Sequence, residues 1–186
     1  MTRRSIRTRI APPAACIGLI ASLPLSPAST AGQAHAQATF DQKLLAPDGA
    51  ANDYFGHSVA VSGTTALVGS HLDNDNGTYS GSAYLFDTTT GDLISKLTAP
   101  DAAAFDYFGR SVAVSGTTAL VGSAFDDDNV INSGSAYLFD TTTGDLISKL
   151  TAPDGAGNDR FGNSVAVSGT TALVGSYLDN DNGALS

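Results

Sequence analysis

Three Asp-rich segments hold the residues whose types and spacing could do chemistry. They read Leu72-Asp73-Asn74-Asp75-Asn76-Gly77, Phe125-Asp126-Asp127-Asp128-Asn129 and Leu178-Asp179-Asn180-Asp181-Asn182-Gly183. Carboxylates spaced by two within a turn are hard oxygen donors of the kind Ca²⁺ collects. Asp73, Asp75, Asp126, Asp128, Asp179 and Asp181 are therefore candidate Ca²⁺ ligands, and Ca²⁺ is the one cofactor these residues suggest. The segments fall short of a full coordination shell, and no EF-hand pattern surrounds them. The other reading of the same residues is a solvated turn held by Asx hydrogen bonds.

Nucleophilic and acid–base chemistry finds less support. Gly56-His57-Ser58-Val59-Ala60 imitates a G-x-S-x-G elbow, but that motif needs a strand-to-helix turn and this segment enters a strand. The corresponding positions elsewhere in the chain carry Arg110 and Asn163 in place of His57, and Ala124 and Tyr177 in place of His71. Neither histidine belongs to a repeated motif. No pair of Asp residues is marked as a catalytic couple. Tyr54 and Tyr107, beside Phe55 and Phe108, read as packing residues. The expectation is a protein without catalytic residues.

The elements that must position the Asp segments come from a repeat. A block starting Lys-Leu recurs at Lys43, Lys96 and Lys149, a period of 53 residues. Residues 43–95 and 96–148 agree at 43 of 53 positions, and 149–186 is a partial third copy. A period of this size is one supersecondary unit repeated. Within a copy, four short apolar runs alternate with turn residues: Ser58–Ser62, Thr65–Ser70, Ser82–Asp87 and Asp92–Thr98. Valine, threonine, tyrosine and phenylalanine suit these runs to strands. Ala66-Leu67-Val68 and Ala83-Tyr84-Leu85-Phe86 are apolar without alternation, so both faces of the sheet should be covered. Four-stranded sheets stacked face to face are β-propeller blades. The reading is all-β, built of incomplete propeller-type blades. A lysine on the fourth strand suits an outer edge, where it discourages strand pairing.

Each copy also carries Phe-Gly before its first strand and Gly-Ser after its second. These are Phe55-Gly56 with Gly69, Phe108-Gly109 with Gly122, and Phe161-Gly162 with Gly175. With the intervening SVAVSGTTALVG, this resembles the FG-GAP repeat of integrin α-subunit propellers and of bacterial secreted proteins. The resemblance implies a propeller blade used for adhesion or ligand binding. The sequence departs from the pattern in two ways. Gly-Ala-Pro has become Gly-Ser-His, Gly-Ser-Ala and Gly-Ser-Tyr at residues 69–71, 122–124 and 175–177. The family's calcium loop, between the first two strands, is reduced to Ser62-Gly63-Thr64 and its equivalents, which carry no carboxylate.

Strand parity places the two-to-three loops and the connections between blades on one rim. Of the ten differences between copies one and two, six fall within 71–79 and the others at 45, 49, 52 and 57. A variable rim on an invariant scaffold is how loop-borne recognition surfaces look, although drift in exposed loops gives the same pattern. The expected ligand face holds Asp48, Asp53, Asp101, Asp106, His71 and Tyr79.

The first 36 residues differ from the rest. Arg3, Arg4, Arg7 and Arg9 precede an Ala-, Leu- and Ile-rich run and two A-x-A sites, the layout of a signal peptide cleaved after residue 36 or 38. The apolar run is too short and too interrupted for a membrane span. After cleavage, 18 acidic residues face five basic ones, a net charge of −13. That balance disfavours nucleic acid. The mature chain lacks cysteine. Residues 39–54 read as a lone fourth strand and linker, followed by two full blades and half of a third. The chain therefore reads as a fragment of a longer propeller, with open blade faces able to self-associate. The expectation is a secreted, cell-surface or periplasmic protein that binds an extracellular protein or glycan. The alternatives are a self-assembling surface repeat and an accessory to a catalytic domain.

Overall fold

The computed structural model describes residues 16–20, 42–128 and 130–180. Among these residues every regular element is a strand. β1 (Cys16–Ile20) pairs antiparallel with β2 (Gln42–Leu45). Repeat 1 forms the antiparallel sheet β3 (Ser58–Ser62), β4 (Thr65–Ser70), β5 (Ser82–Asp87) and β6 (Leu93–Leu97), in that order. Repeat 2 repeats it with β7 (Ser111–Ser115), β8 (Thr118–Ser123), β9 (Ser135–Asp140) and β10 (Leu146–Leu150). Repeat 3 contributes β11 (Phe161–Ser168) and β12 (Thr171–Ser176). The expected strands are all present. The protein is a row of propeller-type blades that forms no closed ring among the described residues.

Register follows from local chemistry. Ser62 pairs with Thr65 across the two-residue turn Gly63-Thr64, a connection whose twist matches that of the flanking strands. The central pair β4–β5 stays in register over six residues, from Thr65↔Asp87 to Ser70↔Ser82. β4 and β5 are buried along their length, as their unbroken apolar runs require. One face of repeat 1, with Leu67, Leu85 and Leu97, packs on Val121, Tyr137 and Phe139 of repeat 2. The opposite face, with Val68, Tyr84 and Phe86, packs on Leu44 and Ala46 of the β2 segment.

β2 thus lies against repeat 1 much as β6 lies against repeat 2. Gln42 approaches Gly91 as Ser95 approaches Gly144. This is the fourth-strand position expected from the period. In the uncleaved chain β1, which belongs to the segment read as a signal peptide, lies beside it. An edge strand offers unpaired N–H and C=O groups, and an extended apolar segment close in sequence can satisfy them. The proposed cleavage sites lie outside the described residues.

The repeated Phe-Gly and Gly-Ser pairs form the joint between blades. Phe108 is fully buried, edge-on to Tyr137 at 5.4 Å and Phe139 at 6.0 Å. Its main chain bridges in parallel to Gly81 of the preceding blade, and Phe108 N donates to Ser80 O at 2.9 Å. Gly109 follows with φ +85°, and its carbonyl accepts the Ser58 hydroxyl at 2.7 Å. That carbonyl lies so close to Gly69 that a Cβ there would sit 2.0 Å from it. The same contact recurs between Gly162 and Gly122. At Gly175 a Cβ would meet only the Ser164 hydroxyl at under 3 Å, and no backbone atom that close.

Gly69→Ala and Gly122→Ala should therefore push neighbouring blades apart and cost about 3 kcal/mol or more, within the range of severe core overpacking. Gly175→Ala should cost less than half as much. Chemical denaturation of the three variants tests this; equal losses at all three would show that the glycines matter only for the blade that contains them.

Candidate ligand-binding rim

The ends of β4, β6, β8 and β10, and the starts of β3, β5, β7 and β9, meet on one rim. There the two-to-three loop of a blade lies beside the connection into the next. Phe105 N donates to Thr78 O at 2.8 Å, and Tyr107 N donates to Tyr79 O at 3.1 Å. The same ladder recurs one period later, from Asn158 N to Ile131 O and from Arg160 N to Asn132 O. These bonds hold the rim loops as firmly as sheet edges.

On the outer side of this rim the carboxylates of each repeat converge on a lysine. Lys96 Nζ lies 2.6 Å from Asp48 and 3.0 Å from Asp73, and it also pairs with Asp75. The Tyr84 hydroxyl lies 2.9 Å from an Asp48 oxygen and 2.8 Å from an Asp73 oxygen, so the two carboxylates share its single proton. In repeat 2, Lys149 lies 2.7 Å from Asp101 and 3.1 Å from Asp126, and pairs with Asp128. Tyr137 again bridges the two inner carboxylates. The structure thus brings the predicted Asp residues together, but around an ammonium group. Asp73 Oδ1 also accepts Asp75 N at 3.1 Å, and Asp126 Oδ1 accepts Asp128 N at 3.0 Å, so the Asx turn is present in both loops. Among the described residues no group of three or more His, Cys, Asp or Glu is placed to hold a metal. A Ca²⁺ ion at either cluster would have to displace the lysine. Asp179 lies in the corresponding loop of repeat 3, and Asp181 lies outside the described residues.

The lysine is therefore more than an edge residue. Its side chain is only 19% exposed and turns inward onto the carboxylates. Burial alone would lower Lys96, but hydrogen bonds to Asp48, Asp75 and Asp73 outweigh it and raise the pKa. Burial alone would raise Asp48, yet the bonds from Lys96 and Tyr84 hold its carboxyl below the ordinary range. Asp101 behaves alike through Lys149 and Tyr137. Sequence reasoning missed both lysines. The signal was there: Asp48, Asp73, Asp75, Tyr84 and Lys96 all recur one period later.

Three residues expected at the ligand face are buried. Asp53 and Asp106 are turn braces: their carboxylates accept Ala50 N and, at 2.6 Å, Ala103 N. His71 is also buried and packs 4.1 Å from His57 between ring centroids. These three side chains support the rim and do not form its outer surface. Asp48, Asp101 and Tyr79 reach solvent.

The inner side of the rim carries a band of rings, of which Tyr54 and Tyr107 read as packing residues in the sequence and Tyr79 as part of the ligand face. Tyr54, Tyr79 and Phe105 are 55%, 36% and 52% exposed. Tyr54 meets His71, His71 meets Tyr107, and Tyr107 meets both Tyr79 and Phe125. Tyr79 and Tyr107 are nearly parallel, with 19° between their planes. Several of these residues have left-handed backbones: Tyr54 at φ 56°, Tyr79 at 56°, Phe105 at 74° and Tyr107 at 55°. Left-handed backbone costs a bulky residue about 1–2 kcal/mol. The repeat imposes the conformation, since Asn52 and Asn158 share it with Phe105, and Asn132 shares it with Tyr79. Asparagine is the cheaper residue at such a site.

The FG-GAP repeat profile matches residues 38–86, 92–139 and 145–186. The chain belongs to the FG-GAP repeat family. No curated protein matches it. Among solved structures, Kuenenia stuttgartiensis hydrazine synthase is similar at 16% identity and a TM-score of 0.46, over 67% of this chain and 30% of that one. The chain thus spans under a third of that protein's length.

In this FG-GAP chain the phenylalanine and glycines of the motif build the blade joint, and the variable loops build the rim. Two outcomes follow. Lys96→Met leaves three carboxylates facing one another and should cost about 3 kcal/mol at pH 7. The deficit should shrink as acid neutralises the carboxylates. Urea titrations at pH 7 and pH 4.5 measure both, and an unchanged midpoint would mean that the cluster is only a surface contact. The second outcome concerns Asp106. Burial, with Asp126, Asp127 and Asp101 nearby, pushes it up from 3.8 to about 6 against the Ala103 bond. The folded chain then holds this proton more tightly than the unfolded chain, so stability is lost as pH rises through about 6. Asp106→Asn should raise Tm at pH 7 and leave it unchanged below pH 4. A gain that persists at low pH would have another cause.

Proposed function

We propose that this protein is an exported, non-catalytic FG-GAP binding or adhesion module that presents its loop rim to an extracellular protein or glycan. One observation carries the reading: exposed aromatic side chains sit at left-handed backbone positions where other copies in the same chain carry asparagine. Backbone strain of this kind is retained where side chains serve a function. The basic, then apolar, first 36 residues support export. Ser58, the serine of the elbow-like motif, donates its hydroxyl to Gly109 O in the blade joint, which supports the non-catalytic reading.

A second reading rests on another surface. Val59 and Val61 are 61% and 68% exposed on the outer face of repeat 1, which favours self-association of blades.

The first reading is tested with the chain's own alternatives. Phe105→Asn with Tyr79→Asn should cut adhesion of chain-coated beads to polysaccharide and cell surfaces at least tenfold, and Tm should stay level or rise. Undiminished adhesion would remove the aromatic rim from the function.

A further inference from the structure

Arg110 and Arg160 are the only arginines beyond the leader, in a stretch whose acidic residues outnumber its basic ones by 13. Both lie over the same ring. The Arg160 guanidinium is 4.5 Å from the Phe125 centroid and that of Arg110 is 5.6 Å from it. Neither forms an ion pair with a carboxylate among the described residues, whereas Lys96 and Lys149 each bind three. Guanidinium groups without a carboxylate, in so acidic a protein, are placed against the prevailing charge. They come from different repeat positions: Arg110 aligns with His57, and Arg160 aligns with Tyr54 and Tyr107. The period alone therefore does not account for their convergence.

The surroundings narrow the partner. Arg160 donates through Nη1 to the Tyr177 hydroxyl, but its Nε and the buried His71 Nδ1 have no hydrogen-bond partner among the described residues, so the band holds unmet polar capacity. Phe125 leads through Tyr107 to Tyr79 and Phe105, whose side chains are exposed to solvent. Planar guanidinium groups bind carboxylates in a fork, and exposed rings stack on the CH faces of sugars. The loop N–H groups of Phe105, Tyr107 and Phe108 are already spent on the neighbouring blade, which leaves little backbone for adding a peptide strand.

We propose that the inner rim is a subsite for a uronate-bearing glycan, with a carboxylate held by Arg110 and Arg160 and the sugar rings on the Phe105–Tyr79–Tyr107 faces. This rests on the rim-binding reading and specifies its ligand. The protein's net negative charge repels polyanions, so charge alone does not produce this binding. The two guanidinium groups must supply it locally.

Calorimetric titration of the full exported chain with tetragalacturonate, a neutral tetraglucoside and tetraglutamate tests the proposal. The uronate should bind at least tenfold more tightly than either of the others. Arg110→Gln and Arg160→Lys should each weaken it at least tenfold, with Tm monitored to confirm folding. Arg160→Lys keeps the charge and removes the fork, so it separates geometry from electrostatics. Equal binding of the neutral sugar, tighter binding of the peptide, no uronate binding, or indifference to both arginine variants would each overturn the proposal. If the arginine variants still adhere in the bead assay while uronate fails to bind, only the ligand class falls. If the Phe105→Asn, Tyr79→Asn variant also adheres unchanged, the rim reading falls with it.

Discussion

The approach of one blade's main chain to the next is the constraint on which the rest of the structure depends. Gly109 O occupies space that a side chain at Gly69 would need, and the same holds for Gly162 and Gly122. That closeness lets Phe108 bury itself under Tyr137 and Phe139 while its backbone bonds to Ser80. It also sets the distance between the two-to-three loop of one blade and the connection into the next. The aromatic band joins residues from those two segments, and each lysine–carboxylate cluster ties a blade's own two-to-three loop and fourth strand to the connection that enters that blade. A wider spacing between the first two blades would pull Asp101 from Lys149 and Tyr79 from Tyr107 alike.

The rim divides into two electrostatic zones. In the outer zone a lysine stands amid the carboxylates of repeats 1 and 2 and neutralises much of each cluster. In the inner zone a pair of arginines shares an aromatic ring, with no ion pair to a carboxylate among the described residues. Outer clusters of this kind tie three segments together and suit a structural role. The inner zone instead exposes rings beside the two guanidinium groups, the arrangement on which the proposed recognition role rests. Repeat 2 shows the cost of a smaller neighbour. Leu138, Leu150 and Ala152 face the two-stranded sheet of repeat 3 and are only partly covered, while Leu85, Leu97 and Ala99 are buried. A cavity of about 160 Å³, lined by Leu138, Ile147 and Val167 among others, marks the difference.

Much of the scaffold was legible in the residues. Unbroken apolar runs in β4 and β5 implied sheets covered on both faces, and the 53-residue period located each strand of the repeats to within three residues. The candidate site was less legible. Asp73 and Asp126 looked like metal ligands because side-chain chemistry within a loop is visible in sequence. Their lysine partners lie 23 residues further on, and the third carboxylate of each cluster precedes Lys96 or Lys149 by 48. Asp53, Asp106 and His71 looked exposed because rim loops usually are, yet the two carboxylates turn inward to brace their own turns and His71 packs among neighbouring rings.

The sequence by itself determined the strand pattern, the four-stranded unit, the rim on which loops gather and the strongly acidic balance. These depend on near-neighbour periodicity, on turn residues and on composition, all written along the chain. The tertiary structure alone decided what stands at the centre of each carboxylate cluster and which rings reach solvent. It also decided that Arg110 and Arg160 meet over Phe125. Those outcomes depend on where residues tens of positions apart arrive when blades stack, and that is set by the glycine-limited distance between main chains.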